Sequence, residues 1–389
     1  MHVALNWLFM HPRAGGVGTA AREVVPRMLA ADPELRLTIM AGAEADDVRD
    51  VLPWKDEVTW VRDPVTVTHG PPHNALRTLN TQWVRQPLRA RRLGCDVLHG
   101  PANSGAVIAP GVASVVTVHD LIWMAYPTAM SPRDRLGTRL TTVAAARAAD
   151  LVLTDSQASC DVLVERLGLD QERIRVVPLG VEQEPPPAGD AAGVRARLRL
   201  GRDEPVLLCV SQKRSHKNLT TLLRALAAVP RADVRLVIPG ATTPYEDELR
   251  DLAAALGLGD RLVLPDWLAA DELEALYETA TAVVLPSLEE GFGLPVLDAM
   301  VRGAPVACSN RSSLAEVAGD AALLFDPLDP HDIANAIARL LDDEPLRARL
   351  VAAGRKRALQ YTWERTAQAT LASYREARER RKLLRWDRA

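Results

Sequence analysis

The densest run of reactive residue types lies between Leu285 and Met300, reading Leu-Pro-Ser-Leu-Glu-Glu-Gly-Phe-Gly-Leu-Pro-Val-Leu-Asp-Ala-Met. Glu290 precedes Gly291 and Gly293, and Asp298 follows eight positions after Glu290. Glycines let the backbone approach a ligand closely, and the amides of a helix start favour phosphate. Pro295 reads as the first residue of that helix, where its missing N–H costs nothing. Carboxylates accept from hydroxyls, so the stretch suits a ligand carrying both hydroxyls and phosphate. A strand–turn–helix corner with a dipole-pairing acid is the other reading these residue types allow.

Charge of the opposite sign sits upstream. Ser211-Gln212-Lys213-Arg214-Ser215-His216-Lys217-Asn218-Leu219 follows an apolar run and precedes a helical one. Lysine as a point charge and arginine as a fork are the side chains that hold phosphate oxygens. Such a rim can neutralise a departing pyrophosphate; a solvated basic turn is the bland counterpart. His119-Asp120 ends another apolar run, with His119 as a donor to a sugar or phosphate and Asp120 to orient it; a helix or turn cap by Asp120, with His119 incidental, is the other reading. Gly15-Gly16, within Ala14–Thr19, lacks the spacing of a dinucleotide turn and reads as a loop that a ligand or facing domain approaches closely.

The elements that carry these residues alternate as strand and helix, the signature of parallel α/β sheets. Strand-like runs fall at 3–5, 35–41, 58–61, 96–99, 114–118, 151–154 and 174–177, then again at 206–210, 234–238, 262–264, 282–285, 305–308 and 321–325. Each polar motif stands at the carboxyl end of such a run, where open α/β sheets bind ligands. The proline-rich stretch from Glu182 to Asp190 breaks the periodicity. The expected organisation is a first Rossmann-like domain over 1–183 and a linker over 184–192. A second such domain follows over 193–365, with a C-terminal helix over 366–389 able to pack back on the first.

The 389 residues suffice for two or three domains, and 48% hydrophobic, 25% charged and a net charge of -3 are ordinary for a soluble globular enzyme. That balance gives no sign of nucleic acid as a partner. Cys95, Cys160, Cys209 and Cys308 are scattered in apolar surroundings and read as buried reduced thiols, so no metal is expected. No run approaches the ~20 apolar residues of a membrane span, and no signal peptide is evident, so a cytoplasmic location is expected. The basic amphipathic segment from Pro71 to Gly94 is the one sign of peripheral membrane contact, against a solvated helix face as the plainer reading.

Taken together, these motifs resemble the retaining glycosyltransferases of family 4, with the closest resemblance to the mannosyltransferase-like branch. The matching stretches are Thr117–Leu121, Val177–Val181, Lys213–Leu219, Glu290–Pro295 and Ser309–Ala322. The resemblance implies a GT-B fold of two doubly wound Rossmann-like domains facing each other across a cleft. It places Glu290 on hydroxyls of the donor sugar, Asp298 on the ribose, Lys217 on the diphosphate and His119 near the transferred sugar. Gly291, Phe292, Gly293 and Leu294 supply backbone contacts, and Gly15-Gly16 faces the donor from the first domain. Two positions depart from the family: Asp298 stands where glutamate is usual, and Gln212 where arginine is frequent. Lys213 or Arg214 is then the expected source of the missing charge.

The implied reaction is retaining, metal-independent hexosyl transfer from a nucleotide diphosphate sugar to a hydroxyl acceptor, with catalysis assigned to Glu290, His119 and Lys217. The donor is a co-substrate, with no separate cofactor, and branch resemblance favours GDP-mannose. The acceptor class is a saccharide, lipid-linked glycan or small metabolite. The alternatives are a nucleotide-sugar epimerase, which can share the two-domain architecture, and a nucleotide-sugar-binding protein with a weakened site, which the departures at Gln212 and Asp298 motivate.

Overall fold

The protein is described by a computed structural model covering residues 1–12, 15–63, 65, 73–126 and 132–386. Residues 387–389 of the tail, Pro71 and Ala14 lie outside that description. The chain divides into two compact units, Met1–Gly180 with Trp363–Ala389, and Val181–Thr362.

The first unit is a seven-stranded sheet in the order β3-β2-β1-β4-β5-β6-β7. Its strands are β1 (His2–Trp7), β2 (Arg36–Ala41), β3 (Thr59–Arg62), β4 (Val97–Gly100), β5 (Ala113–Thr117), β6 (Leu151–Thr154) and β7 (Ile174–Val176), all paired in parallel. Parallel strands covered on both faces favour apolar side chains, and β5 and β6 are buried throughout, with only Ser114, Thr117 and Thr154 polar. Strand order reverses between β1 and β4.

The second unit is a six-stranded sheet in the order β10-β9-β8-β11-β12-β13. Its strands are β8 (Val206–Leu208), β9 (Arg235–Val237), β10 (Leu262–Val263), β11 (Ala282–Leu285), β12 (Val306–Ser309) and β13 (Leu323–Phe325), again all parallel. Here the reversal falls between β8 and β11. The loops that follow those two strands carry Lys217 and Glu290, so topology alone brings the two motifs to one crevice.

Two sequence expectations change in detail. The proline-rich stretch belongs to the second unit, where Gly189 N–H donates to Asp271 O and the Asp190 carboxylate caps the helix Ala191–Arg197. The glycine-rich run 15–18 is the first turn of the helix Gly15–Ala31 and not a loop, with Gly15 at φ 61 supplying the entry.

The charged C-terminal helix Trp363–Trp386 packs on the first unit. Ala367, Leu371, Tyr374 and Ala377 form its apolar stripe in the same core cluster as β1, β2 and the helix Gly15–Ala31. Its charges pair with unit-one partners, Glu364 with Arg27, Glu376 with Arg175 and Arg381 with Asp150. The Tyr374 hydroxyl lies 2.7 Å from His99 Nδ1, and His99 Nε2 lies 2.8 Å from Thr117 Oγ1. Burial, then the charge on His119, pushes His99 down to about 3, so a neutral ring sits between two hydroxyls. Tyr374→Phe strips one nitrogen of its partner and should cost about 1–3 kcal/mol. A lower urea midpoint at unchanged m-value is expected, and an unchanged midpoint would show that the contact adds nothing.

Candidate functional site

The loop after β8 tightens into a 3-10 turn, Ser215–Lys217, and then reverses at Asn218, which holds φ 57. Asparagine tolerates this left-handed geometry, and its amide is used at once. Asn218 Nδ2 donates to Pro286 O at 3.1 Å and Pro327 O at 2.7 Å, while Thr221 Oγ1 donates to its Oδ1 at 2.6 Å. Leu288 N–H donates to His216 O. These bonds fasten the turn to the loops after β11 and β13. Lys217 Nζ thereby stands 2.7 and 2.8 Å from the two oxygens of Glu290.

Glu290 is gripped by its backbone as well as its side chain. Ser312 and Ser313, opening the helix Ser312–Ala318, both donate hydroxyls to Glu290 O, at 2.7 and 2.9 Å. Burial alone would raise the Glu290 carboxyl; the Lys217 ammonium and the Ser287 hydroxyl outweigh it and hold the group below the usual carboxylate range. Gly293 turns the chain into the helix Leu294–Val301 at φ 114, and a Cβ there would meet Leu314 Cδ2 at 2.7 Å. Phe292 is buried edge-on against Tyr361, leaving Gly291 to Leu294 to present backbone. Pro295 is the second helical residue, since Leu294 is already helical.

Lys213 does not join the cationic rim. Its side chain is wholly buried, with Nζ donating to Gly240 O and Pro265 O and pairing with Glu246 at 2.9 Å. It ties the loops after β8, β9 and β10 together, because an ammonium out of water requires such partners. Arg214 and Gln212 are exposed and meet no carboxylate among the described residues. Of the two candidates for the charge missing at Gln212, only Arg214 is open to a ligand.

Asp298 stands one turn into the helix Leu294–Val301 with 36% of its side chain open. Burial, opposed by Arg302, raises its carboxyl above the usual range. Arg302 Nη1 donates to Asp298 Oδ1 at 2.9 Å, and its other edge forks onto Glu274. Among the described residues, no group of three or more His, Cys, Asp or Glu has metal-binding geometry.

The remaining expected site residues belong to the first unit. Gly15 is half-buried and Gly16 exposed at the start of their helix. His119, just beyond β5, is buried, and both ring nitrogens are engaged: Nδ1 lies 2.6 Å from Asp155 Oδ2 and Nε2 2.9 Å from Pro101 O. Burial lowers its affinity for a proton, but the Asp155 carboxylate prevails and raises the imidazole to about 9. It is therefore a doubly donating imidazolium, and not the free donor to a sugar that its position suggested. Asp155 orients it; the Asp120 carboxylate instead accepts from Ile122 N–H beside the short helix Ile122–Ala125.

The second unit thus offers an ammonium, an exposed guanidinium, two carboxylates and a helix start in the segments that follow the neighbouring strands β8 and β11, a set that can hold an anion beside hydroxyls. Residues 14–184 match the family described as Glycosyltransferase Family 4, and residues 193–357 match Glycosyl transferases group 1. The chain belongs to glycosyltransferase family 4. This family-4 chain is similar to the D-inositol 3-phosphate glycosyltransferases of Acidothermus cellulolyticus, 36% identical over 59% of this chain and 54% of that protein, and of Frankia alni, 36% identical over 55% and 56%. It spans about half the length of these curated relatives. Among solved structures it is similar to sucrose-phosphate synthase from Thermosynechococcus elongatus (24% identity, TM-score 0.76, 97% of this chain and 98% of that one). Anabaena HepE in complex with UDP and glucose gives 19% identity and a TM-score of 0.75, over 97% and 100%. These likenesses show the GT-B fold with its two Rossmann-like domains.

In each unit, several residues that hold the expected site residues in place escape a reading of the sequence. Asn218, Ser312 and Ser313 lie inside recognisable motifs but act on backbone carbonyls far along the chain. Asp155 and Glu274 carry no local signal, because strand order brings the first to His119 and the packing of the helix Ala270–Thr279 brings the second to Arg302. A raised histidine pKa contributes stability that is present below the ordinary value and lost as pH rises through the folded one. The His119–Asp155 pair should therefore stabilise fully below 6.5 and fade through about 9. Relative to the double variant His119→Gln/Asp155→Asn, the unaltered protein should lose its advantage in urea unfolding between about pH 6 and about pH 10. A pH-independent difference would show that the pair is not ionic.

Proposed function

We propose that this protein transfers a hexosyl group from a nucleotide diphosphate sugar to a hydroxyl acceptor with retention of anomeric configuration. The observation that carries the reading is the Lys217–Glu290 pair at the reversal point of the second sheet. In it an anion-binding and a hydroxyl-binding group neutralise each other at 2.7 Å. An arriving diphosphate takes Lys217, assisted by Arg214, and releases Glu290 to accept from sugar hydroxyls. Backbone from Gly291 to Leu294 lies along sugar and phosphate, and Asp298 meets the ribose. The HepE complexes with UDP and UDP-glucose support a nucleotide-sugar donor, whereas GDP-mannose rests on the branch resemblance alone.

In the proposed step the bond from the anomeric carbon to the diphosphate oxygen breaks as the acceptor oxygen bonds to the same face. The acceptor proton passes to the departing diphosphate. Lys217 and the first turn of the helix Leu294–Val301 stabilise charge that develops on that leaving group. The acceptor is assigned to the first unit, with the relatives named for D-inositol 3-phosphate supporting a polyol phosphate beside saccharide or lipid-linked acceptors.

Peripheral contact with an anionic membrane is proposed for the outward face of residues 73–92, where Leu76 is 74% exposed and Val84 and Leu88 lie open beside Arg77, Arg85, Arg91 and Arg92. The face turned inward is anchored by Gln86 and Arg89 on the buried Asp63. No helix among the described residues is long and apolar enough to cross a membrane.

A thermal-shift screen of UDP-, GDP- and dTDP-sugars should find one that stabilises the protein, and that donor then serves in a transfer assay. Lys217→Ala and Glu290→Gln should each lower kcat by roughly 100-fold or more, the scale of losing one preorganised charge contact. Near-normal turnover in either variant would remove that residue from the reaction. Donor consumption that yields an isomerised nucleotide sugar without acceptor would mean an epimerase instead.

A further inference from the structure

The proposed reading leaves Asp298 on the ribose, and the structure shows that this carboxylate is not free to turn. Arg302, four residues on in the same helix, donates from Nη1 both to Asp298 Oδ1 and to Asp298 O, each at 2.9 Å. Its opposite edge, Nε and Nη2, forks onto both oxygens of Glu274 in the helix Ala270–Thr279. The guanidinium also lies over the Tyr277 ring, with Cζ 4.9 Å from the centroid. Arg302 and Glu274 are 9% and 8% exposed, so this clamp is shielded from water and from salt. Arginine held by a planar fork on one side and a ring below has no alternative rotamer that keeps these contacts.

Two consequences follow for Asp298. First, one guanidinium faces two carboxylates, one positive charge against two negative, so the trio carries a residual negative charge at the open end. That end repels phosphate and draws hydroxyl donors. Second, Oδ1 is occupied, while Oδ2 has no partner among the described residues, and the side chain is open by 36%. Aspartate is also one methylene shorter than glutamate, which narrows the reach of the one open oxygen across the two hydroxyls of a ribose.

We infer that Arg302 is a positioning residue that sets donor selectivity: by clamping Asp298 Oδ1 it leaves one oxygen to read one ribose hydroxyl. This rests on the donor reading above, and goes beyond it by predicting an unequal demand for the 2′- and 3′-hydroxyls. A purely structural clamp, joining the helices Ala270–Thr279 and Leu294–Val301, would make no such distinction.

The test is calorimetric titration of the full chain with UDP, 2′-deoxy-UDP and 3′-deoxy-UDP. The unaltered protein should lose tenfold or more in affinity for one deoxy analogue and under threefold for the other, about the difference between losing a hydrogen bond to a charged group and losing none. In Arg302→Met the released carboxylate should reach both hydroxyls, and the two losses should come within threefold of each other. Arg302→Lys keeps the charge without the fork, so it should show the same collapse if the methionine variant does not fold. Equal losses in the unaltered protein, or an asymmetry that survives either substitution, would overturn the assignment. A uniform loss across all three nucleotides in the variants would reduce Arg302 to a structural clamp. Absence of UDP binding by the unaltered protein, with GDP and dTDP also inert, would instead overturn the donor reading on which the inference stands.

Discussion

The ion pair between Lys217 and Glu290 is the interaction on which the rest of the second unit turns. Both side chains are more than four-fifths buried, at 16% and 15% exposure. Charges so far out of water are tolerable only when paired and further hydrogen-bonded, and removing one partner leaves the other strongly unfavourable. Much of the surrounding chain is explained by that demand. Asn218 takes a left-handed conformation to set the lysine, Ser312 and Ser313 fix the glutamate from the next strand, and Gly293 clears Leu314. The pair lies in the loops at the carboxyl ends of β8 and β11, where the proposed diphosphate would compete for the ammonium.

Lys213 and Lys217 show how burial sorts residues of one type. They stand four positions apart in one motif, yet Lys213 is sealed beneath carbonyls and Glu246 while Lys217 stays within reach of a ligand. The first holds the rim together and the second works on it. His119 and His99 divide in the same way within the first unit. A carboxylate beside His119 keeps it charged, while burial and the charge on His119 keep His99 neutral between two hydroxyls.

Much of the architecture was legible in the sequence, because buried parallel strands read as short apolar runs with polar residues at their ends. The placement of Glu290 and Lys217 at one crevice followed from that pattern. What stayed hidden was set by side-chain direction. Nothing in Gln-Lys-Arg tells which cation points inward, and nothing near His119 announces Asp155, which arrives from the neighbouring strand. The clamp on Asp298 was half visible: the shorter acid stood out, but its partner Arg302 looked like any basic residue at a helix end. The C-terminal helix was undecided from composition, since its charge masked the stripe from Ala367 to Ala377 that buries it.

In the proposed reaction Glu290 holds the place of phosphate on Lys217 until the donor arrives. The most direct measurement is the affinity of a bare nucleoside diphosphate, UDP or GDP, for the unaltered protein and for Glu290→Gln. If the carboxylate competes with the diphosphate for the ammonium, neutralising it should tighten binding several-fold, with the gain shrinking at high salt. Weaker binding by Glu290→Gln would contradict the account, because it would make the carboxylate a support for the phosphate site and not its competitor.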